Sequence, residues 1–171
     1  MIDDIEFRRF AEADIEDATR IMKAAFDEDS DLFRTVPDAP PGYDDGSFLR
    51  RNAVESGADG YCVLIDGALA GTVIVFHNAQ NGENFLGCIF LDPALRGRGL
   101  GKNVWDRIEA MYPDVKVWRT ETPLCSKRNL HFYINKLVFM AYRIDDPKEY
   151  ESAQVQLIKF RQNVDESDQR L

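Results

Sequence analysis

One stretch of the sequence, LDPALRGRGLGKN from Leu91 to Asn103, combines glycine and positive charge in a pattern typical of phosphate binding. Its centre consists of Arg96, Gly97, Arg98, Gly99, Leu100, Gly101 and Lys102. No acidic residue lies between Asp92 and Asp106, although the whole chain has a formal net charge of -9. An apolar run precedes the stretch, and a helical pattern of apolar residues follows it at Leu100, Val104, Ile108 and Met111. Unpaired N–H groups at the helix start would therefore face a bound anion. Because glycine also lets the backbone approach closely, the stretch predicts a phosphate site.

Two common nucleotide-binding loops do not fit this stretch. Gly97, Gly99 and Gly101 lack the two-residue gap of a dinucleotide-binding turn, and no acid follows at the distance that suits a ribose. A Walker loop requires glycine where Arg96 stands and Ser or Thr where Asn103 stands. A tight turn with solvated basic residues and a nucleotide-binding protein of another kind remain as alternatives.

The hydrophobic pattern predicts mixed α/β structure in the order β-α-α-β-β-β-α-β-α-β-β. A first strand ends near Phe10, and Asp14 is the candidate N-cap of the first helix. The proline-containing acidic segment Asp27–Asp45 is predicted to be a loop, and Ser47 to cap a short second helix. Asp66-Gly67 separates two apolar runs and indicates a tight hairpin turn.

Length and composition indicate one domain over residues 1–162 and a polar tail over residues 163–171. A pI near 4.7 argues against broad nucleic-acid binding, which needs a basic surface. No apolar run approaches the roughly 20 residues of a membrane span, and the first residues lack the basic and apolar parts of a signal peptide. Three cysteines at no metal-like spacing indicate reduced thiols, no metal site and a cytoplasmic protein.

The motif Arg96-x-x-Gly99-x-Gly101, between a strand and a helix, resembles the signature of the GNAT acyltransferase superfamily. The resemblance implies a mostly antiparallel central sheet with helices on both faces. It also implies that the loop from Arg96 to Lys102 binds the pyrophosphate of acetyl-coenzyme A, the acyl donor. Phe90 and Leu91 of the preceding strand would pair with the pantetheine arm.

A second stretch, FYINKLVF from Phe132 to Phe139, is similar to the Phe-Tyr-x-Lys-x-Gly-Phe pattern of the same family. By this resemblance Tyr133 protonates the departing thiolate. Asn129, four residues earlier on the same helix face, would contact the cofactor with it. The sequence has one extra residue between Tyr133 and Lys136, and Val138 stands where glycine is common. The alternative for Tyr133 is a core aromatic with its hydroxyl at the rim.

The resemblance further implies direct transfer of the acetyl group to a primary amine, with no covalent enzyme intermediate. The backbone N–H of Leu91 is the candidate donor to the oxyanion, and Glu121 is the candidate base. Glu83 and His77 are weaker alternatives for the base. Cys125 is expected to be inert, because no histidine is paired with it.

The acidic segment Asp27–Asp45, with seven acids and one base, would form one wall of the acceptor pocket and attract a small cationic amine. No nucleic-acid or membrane partner is expected, and relatives suggest a homodimer. The main alternative in function is a coenzyme A-binding module of the same fold without catalysis.

Overall fold

Seven strands and four helices make up the part of the chain that the computed structural model describes. That part comprises residues 4–33, 39–78, 80–149 and 152–161, and for residues 29–33 only the backbone is described. The strands are β1 (Ile5–Arg9), β2 (Asp59–Ile65), β3 (Ala68–Asn78), β4 (Glu83–Leu91), β5 (Val117–Pro123), β6 (Met140–Asp145) and β7 (Gln154–Phe160). They form a sheet in the order β1-β2-β3-β4-β5-β7-β6.

The helices connect these strands at the predicted places. Helix α1 (Ile15–Phe33) follows a short 3-10 turn, and α3 (Leu100–Met111) follows the glycine stretch. Helices α2 and α4 begin as Ser47–Leu49 and Lys127–Leu130, and each continues in wider π-type turns over Arg50–Glu55 and His131–Lys136. The predicted α/β class and element order are therefore confirmed.

Strands β4 and β5 are the parallel neighbours in this otherwise antiparallel sheet. They pair over three positions only, from Glu83 opposite Val117 to Phe85 opposite Arg119. The side-chain hydroxyl of Thr120 donates to the carbonyl of Leu86 at 2.8 Å, just beyond the last pair. From there the two strands separate, and a cleft opens between them.

A β-bulge at Gly87 accompanies this separation. The β3–β4 register passes from Val75 opposite Leu86 to Ile74 opposite Cys88, so Gly87 has no partner of its own. Leu86 consequently faces the core beneath α3, whereas Cys88 faces the core beneath α1. A Cβ at position 87 would overlap the Phe76 ring, and glycine is therefore required there.

Two apolar cores, one on each face of the sheet, hold the elements in place. Beneath α3, the Trp105 ring makes edge-to-face contacts with Trp118 at 5.0 Å and with Phe139 at 5.4 Å between centroids. Beneath α1, the buried Met22 and Leu49 join α1 and α2 to the other face. Of the predicted positions at helical spacing in α3, Leu100, Val104 and Ile108 are buried. Met111, the last residue of the helix, is 43% exposed instead.

Three local details differ from the sequence predictions. Helix α1 continues through Phe33, well into the predicted acidic loop, because the first proline occurs only at position 37. Asp14 does not cap this helix; its carboxylate accepts the Ala11 N–H at 2.8 Å and binds the Arg8 guanidinium at 2.7 Å.

Ser47 is likewise the first residue of α2 rather than its cap. The carboxylate of Asp45 accepts the Ser47 N–H at 2.8 Å instead. The predicted tail, residues 163–171, and residues 34–38 of the acidic segment lie outside the described residues. Within the described ranges, each helix is too short or too polar to cross a membrane.

Candidate active site

A cleft of about 1190 Å³ occupies the opening between β4 and β5. It brings together the second half of β4, the glycine stretch, the end of β5 and the helix α4 with its π-type turns. It also reaches α1, α2 and the segment between them on the other face of the sheet. Residues that are more than a hundred positions apart in the sequence thus face one space.

The backbone of β4 forms one side of the cleft. The Asp92 N–H donates to the Ala70 carbonyl at 2.7 Å, which makes Gly71 and Leu91 a non-hydrogen-bonded pair of the β3–β4 ladder. The N–H of Leu91 therefore points away from β3, toward the cleft. By the same alternation the N–H of Ile89, two residues earlier, points the same way, whereas Phe90 directs its backbone groups to β3. The prediction that Phe90 pairs with the pantetheine arm is therefore wrong for its backbone, and Ile89 takes its place beside Leu91. Sequence reasoning missed Ile89, because only the register reveals this alternation.

The glycine stretch forms an open cradle at the start of α3. Gly97 and Gly99 have φ angles of 78° and 72°, a conformation that favours glycine. A Cβ built on either residue would have no atom within 4 Å, so the space above them is empty of protein. The first backbone bond of α3 runs from the Asn103 N–H to the Gly99 carbonyl at 3.3 Å. The N–H groups of residues 100–102 precede that bond, as in an anion-binding helix start.

Helix α4 packs directly against this cradle. A Cβ on Gly101 would lie 3.1 Å from the Phe132 ring, so a glycine at this position permits the close approach. The contact brings Arg128 and Lys136 to the cleft beside Asn129, which is half-buried. Neither cation was among the predicted site residues, because their position in the cleft depends on the packing of α4 on α3.

The positive side chains of the cradle already interact with carboxylates. Arg96 forms an ion pair with Glu28 of α1, and Lys102 binds Asp106 at 2.5 Å one helical turn away. The Arg96, Lys102 and Asp106 side chains are about one third to one half exposed, and such pairs contribute little to stability. A phosphate group can therefore replace these carboxylates at low cost, while the backbone N–H groups stay fixed.

Tyr133 lies at the point where β4 and β5 separate. It is 7% exposed and lines the cleft, with the Phe132 and Phe139 rings at 5.5 and 5.9 Å. Burial, and next the neighbouring Cys88 thiol, raise the pKa of Tyr133 well above its usual value, while a hydrogen bond with Thr120 lowers it. The hydroxyl is therefore protonated at neutral pH and is available as a donor. Tyr133 thus packs in the core and also lines the cleft, and its role as an acid stays a prediction.

The extra residue after Tyr133 is accommodated in the π-type turns of residues 131–136, since such a turn holds one residue more than an α-helical turn. The Phe139 N–H still donates to the Tyr133 carbonyl at 2.9 Å, which closes the helix. Val138 adopts a φ of 63° in this closure. A left-handed conformation at this position explains why glycine is common there in the Phe-Tyr-x-Lys-x-Gly-Phe pattern.

Glu121 lies at the cleft on the end of β5. Its side chain is exposed and accepts a hydrogen bond from Gln156 at 2.9 Å. Thr120 and Thr122 are buried beside it in the strand, so Glu121 is on the opposite face of the sheet, the face that α1 covers over β1–β4.

The weaker candidates for a base do not line the cleft. His77, near the end of β3, is hydrogen-bonded to Asn84 at 2.5 Å, and Glu83, the first residue of β4, is held by Arg119 at 3.0 Å. Cys125 is buried outside the cleft lining. Cys88 is the cysteine that lines the cleft, and burial raises the pKa of its thiol to about 12.

The wall expected to be acidic is apolar in its described part. From the segment Asp27–Asp45, the described residues that line the cleft are Ala39, Pro40 and Pro41. Ala25 and Phe26 of α1 and Phe48 of α2 line the same side. Asp27 is turned toward Lys23 and the Tyr43 hydroxyl, which donates to it at 2.7 Å. The acids of the segment whose side chains are described thus contribute to the field around the cleft but do not line it.

Comparisons with known proteins agree with this geometry. The profile of the acetyltransferase (GNAT) family matches residues 20–137, more than half of the chain. The curated protein YrkN of Bacillus subtilis, which is described as uncharacterized, is 41% identical over 83 residues. That match covers 48% of this chain and 45% of YrkN, so the chain matches less than half the length of this relative.

Solved structures show the same fold at low sequence identity. An acetyltransferase from Thermus thermophilus superposes with a TM-score of 0.72 at 12% identity, covering 92% of this chain and 97% of the other. The PaiA N-acetyltransferase of Thermoplasma acidophilum, in complex with coenzyme A, gives 0.70 at 14% identity over 92% and 99%. The ribosomal-protein-S18-alanine N-acetyltransferase of Escherichia coli gives 0.68 at 15% identity over 95% and 97%.

Proposed function

This chain belongs to the GNAT acetyltransferase family, and we propose that it is an N-acetyltransferase that moves an acetyl group from acetyl-coenzyme A to a primary amine. One observation carries the proposal: a single cleft joins the glycine cradle, the cleft-facing backbone of β4 and the residue Tyr133. An acyl donor with a diphosphate at one end and a thioester at the other matches this order of groups.

The donor would be held mainly by backbone groups. The N–H groups at residues 97–102 would bind the diphosphate, with Arg98, Arg128 and Lys136 adding positive charge. The cleft-facing backbone groups of Ile89 and Leu91, rather than those of Phe90, would pair with the amide-containing arm, and Asn129 would contact the donor from α4. The apolar side chains of Ile89 and Leu91 pack against the core beneath α3, and this packing fixes the strand that receives the arm.

The acetyl transfer requires three groups of this chain. Glu121 would take the proton from the ammonium of the acceptor, directly or through water, since an amine with a pKa near 10.4 is almost fully protonated at neutral pH. The nitrogen then attacks the thioester carbonyl, a carbon–nitrogen bond forms, and the N–H of Leu91 stabilises the oxyanion. As the carbon–sulfur bond breaks, Tyr133 acts as general acid toward the departing sulfur.

Direct transfer in a ternary complex fits the chemistry of the cleft better than a covalent enzyme intermediate. Cys88 is the nearby thiol, and a pKa of about 12 leaves almost none of it as the thiolate nucleophile at neutral pH. Holding both substrates in one cleft supplies the rate advantage of proximity instead.

The acceptor is proposed to be a small amine that is cationic in solution. The net charge of -9 supports this proposal, because it raises the local concentration of cations near the cleft. A homodimer also stays a proposal. It is supported by the exposed apolar side chains of Met140, Tyr142 and Ile144 on the edge strand β6.

The proposal is tested by incubating the protein with acetyl-coenzyme A and a panel of amines while free thiol is measured. We expect release of coenzyme A with at least one amine. The Tyr133→Phe variant should lose about 10²- to 10⁴-fold in kcat, the usual range for a general acid, with acetyl-coenzyme A binding retained. Tyr142→Phe, an exposed tyrosine outside the cleft, is the matched control and should keep its rate.

Two results would contradict parts of the proposal. Full activity of Tyr133→Phe would remove the acid role of this hydroxyl. Tight binding of acetyl-coenzyme A without turnover of any amine would favour the alternative function, a coenzyme A-binding module without catalysis.

A further inference from the structure

The acceptor end of the cleft differs in chemistry from the donor end. Its wall on the α1–α2 side consists of two phenylalanines, two prolines and two alanines, and Phe26 makes an edge-to-face contact with the Tyr43 ring at 6.0 Å. Among the cleft-lining residues that the structure describes, the carboxylates are Asp92 and Glu121. Asp92 accepts the Ala94 N–H at 2.9 Å at the start of the donor cradle, so Glu121 is the carboxylate at the acceptor end.

We propose that the acceptor is a monoamine whose amino group is attached to an apolar or aromatic body, and that Phe26 and Phe48 are the residues that select it. This inference rests on the proposed acetyltransferase function and specifies the substrate class of the same cleft. One ammonium fits the single described carboxylate at the acceptor end. The rest of the acceptor then lies against rings and proline side chains.

A polyamine fits this wall poorly for a physical reason. Against the wall residues that the structure describes, its second ammonium would leave water and meet apolar side chains, and a charge that loses its hydration without a partner is strongly disfavoured. For an apolar group of the same size, transfer from water to this wall is favourable. The negative field of the whole protein attracts both kinds of amine, so the wall decides between them.

Both phenylalanines are held in place to form this wall. Phe48 is the second residue of α2. The next residue, Leu49, is buried and anchors this helix in the core beneath α1. Phe26 lies on α1 beside the buried Ala25 and packs against the same core. The folded core beneath α1 thus fixes both rings of this wall.

The test compares pentylamine with putrescine, two amines of equal length. Pentylamine ends in a methyl group where putrescine has a second ammonium. With the unmodified protein and acetyl-coenzyme A we expect kcat/KM for pentylamine to be at least about 10-fold higher, as for other apolar pockets. In Phe48→Glu the new carboxylate should reverse the preference, with pentylamine losing at least about 10-fold and putrescine gaining.

Phe160→Glu is the matched control, because Phe160 is 57% exposed on β7 and outside the cleft lining. It introduces the same charge and should leave the ratio of the two amines unchanged. Phe48→Tyr, which keeps the ring, tests the wall by a milder change and should leave pentylamine the better substrate. Acetyl-coenzyme A affinity, measured by calorimetry, shows that each variant still folds and binds the donor.

A higher kcat/KM for putrescine with the unmodified protein, or an unchanged ratio in a folded Phe48→Glu variant, would overturn the inference while the acetyltransferase function stands. Absence of turnover with every amine tested, despite acetyl-coenzyme A binding, would instead contradict the proposed function. The two failures are therefore distinguishable in one set of assays.

Discussion

Replacing Gly99 by alanine separates the role of the cradle in binding from its role in folding. Gly99 has a φ of 72° and no protein atom within 4 Å of an added Cβ. The left-handed backbone costs a non-glycine residue about 1–2 kcal/mol. For a chain of 171 residues this corresponds to a fall in Tm of about 2–8 °C. In the free protein the Cβ meets nothing else.

Gly99→Ala should also weaken the binding of acetyl-coenzyme A, which backbone strain in the free protein does not by itself explain. The added methyl group would occupy the space above the cradle and displace the diphosphate from at least one backbone N–H. A hydrogen bond to a charged group contributes about 1.5–3 kcal/mol, so we expect the Kd for acetyl-coenzyme A to rise about 10- to 100-fold. Isothermal titration calorimetry on the folded variant measures this directly.

Gly57→Ala provides the matched control. Gly57 has a φ of 76°, also has no atom within 4 Å of an added Cβ, and lies outside the cleft lining between α2 and β2. It should lose the same stability as Gly99→Ala and keep the Kd of the unmodified protein. If both variants bound acetyl-coenzyme A equally well, the diphosphate would not lie on the cradle and the reasoning would be refuted.

Two further predictions concern stability. Val138→Gly should raise Tm by a few degrees in calorimetry, because Val138 has a φ of 63° and is 69% exposed, so strain is relieved with little loss of burial. Asp146→Gly, at a φ of 52°, should gain less, since aspartate tolerates this conformation, and an equal gain would contradict the argument. A hydrogen bond from the Arg8 guanidinium lowers the pKa of Asp14 below its unfolded value of 3.8. The ionised carboxylate therefore stabilises the fold above that pH. This stabilisation is lost as the pH falls through the pKa of Asp14 in the folded protein. Asp14→Asn should therefore lower the free energy of unfolding at pH 7 more than at pH 3, as measured by urea titration.

Local features of the fold were predictable because they depend on residues that are close in sequence. The Asp66-Gly67 turn shows this: both residues have positive φ angles, of 51° and 78°, and the flanking strands pair as a hairpin. The burial of Leu100, Val104 and Ile108 follows in the same way from helical spacing. Where a local signal was absent, as at the end of α1, the boundary was wrong.

The site was predictable only where the glycine motif or the family pattern marked it. The positions from Arg96 to Lys102, with Asn129, Tyr133, Leu91 and Glu121, all line the cleft. Three further cleft residues were missed, namely Arg128, Lys136 and Ile89. The residues next to them in the sequence do not indicate that they line the cleft. Their place follows from the contact of α4 with α3 and from the β3–β4 register.

The sequence by itself determined the element order, the glycine cradle and the tyrosine helix, since each is encoded within about a dozen consecutive residues. Only the tertiary structure decided that β7 lies between β5 and β6 and that the bulge at Gly87 accompanies the separation of β4 from β5. It also decided that the described residues on the α1–α2 side of the cleft are apolar. The physical reason is that strand pairing and side-chain packing are contacts between distant segments. Their geometry depends on every element that packs around them.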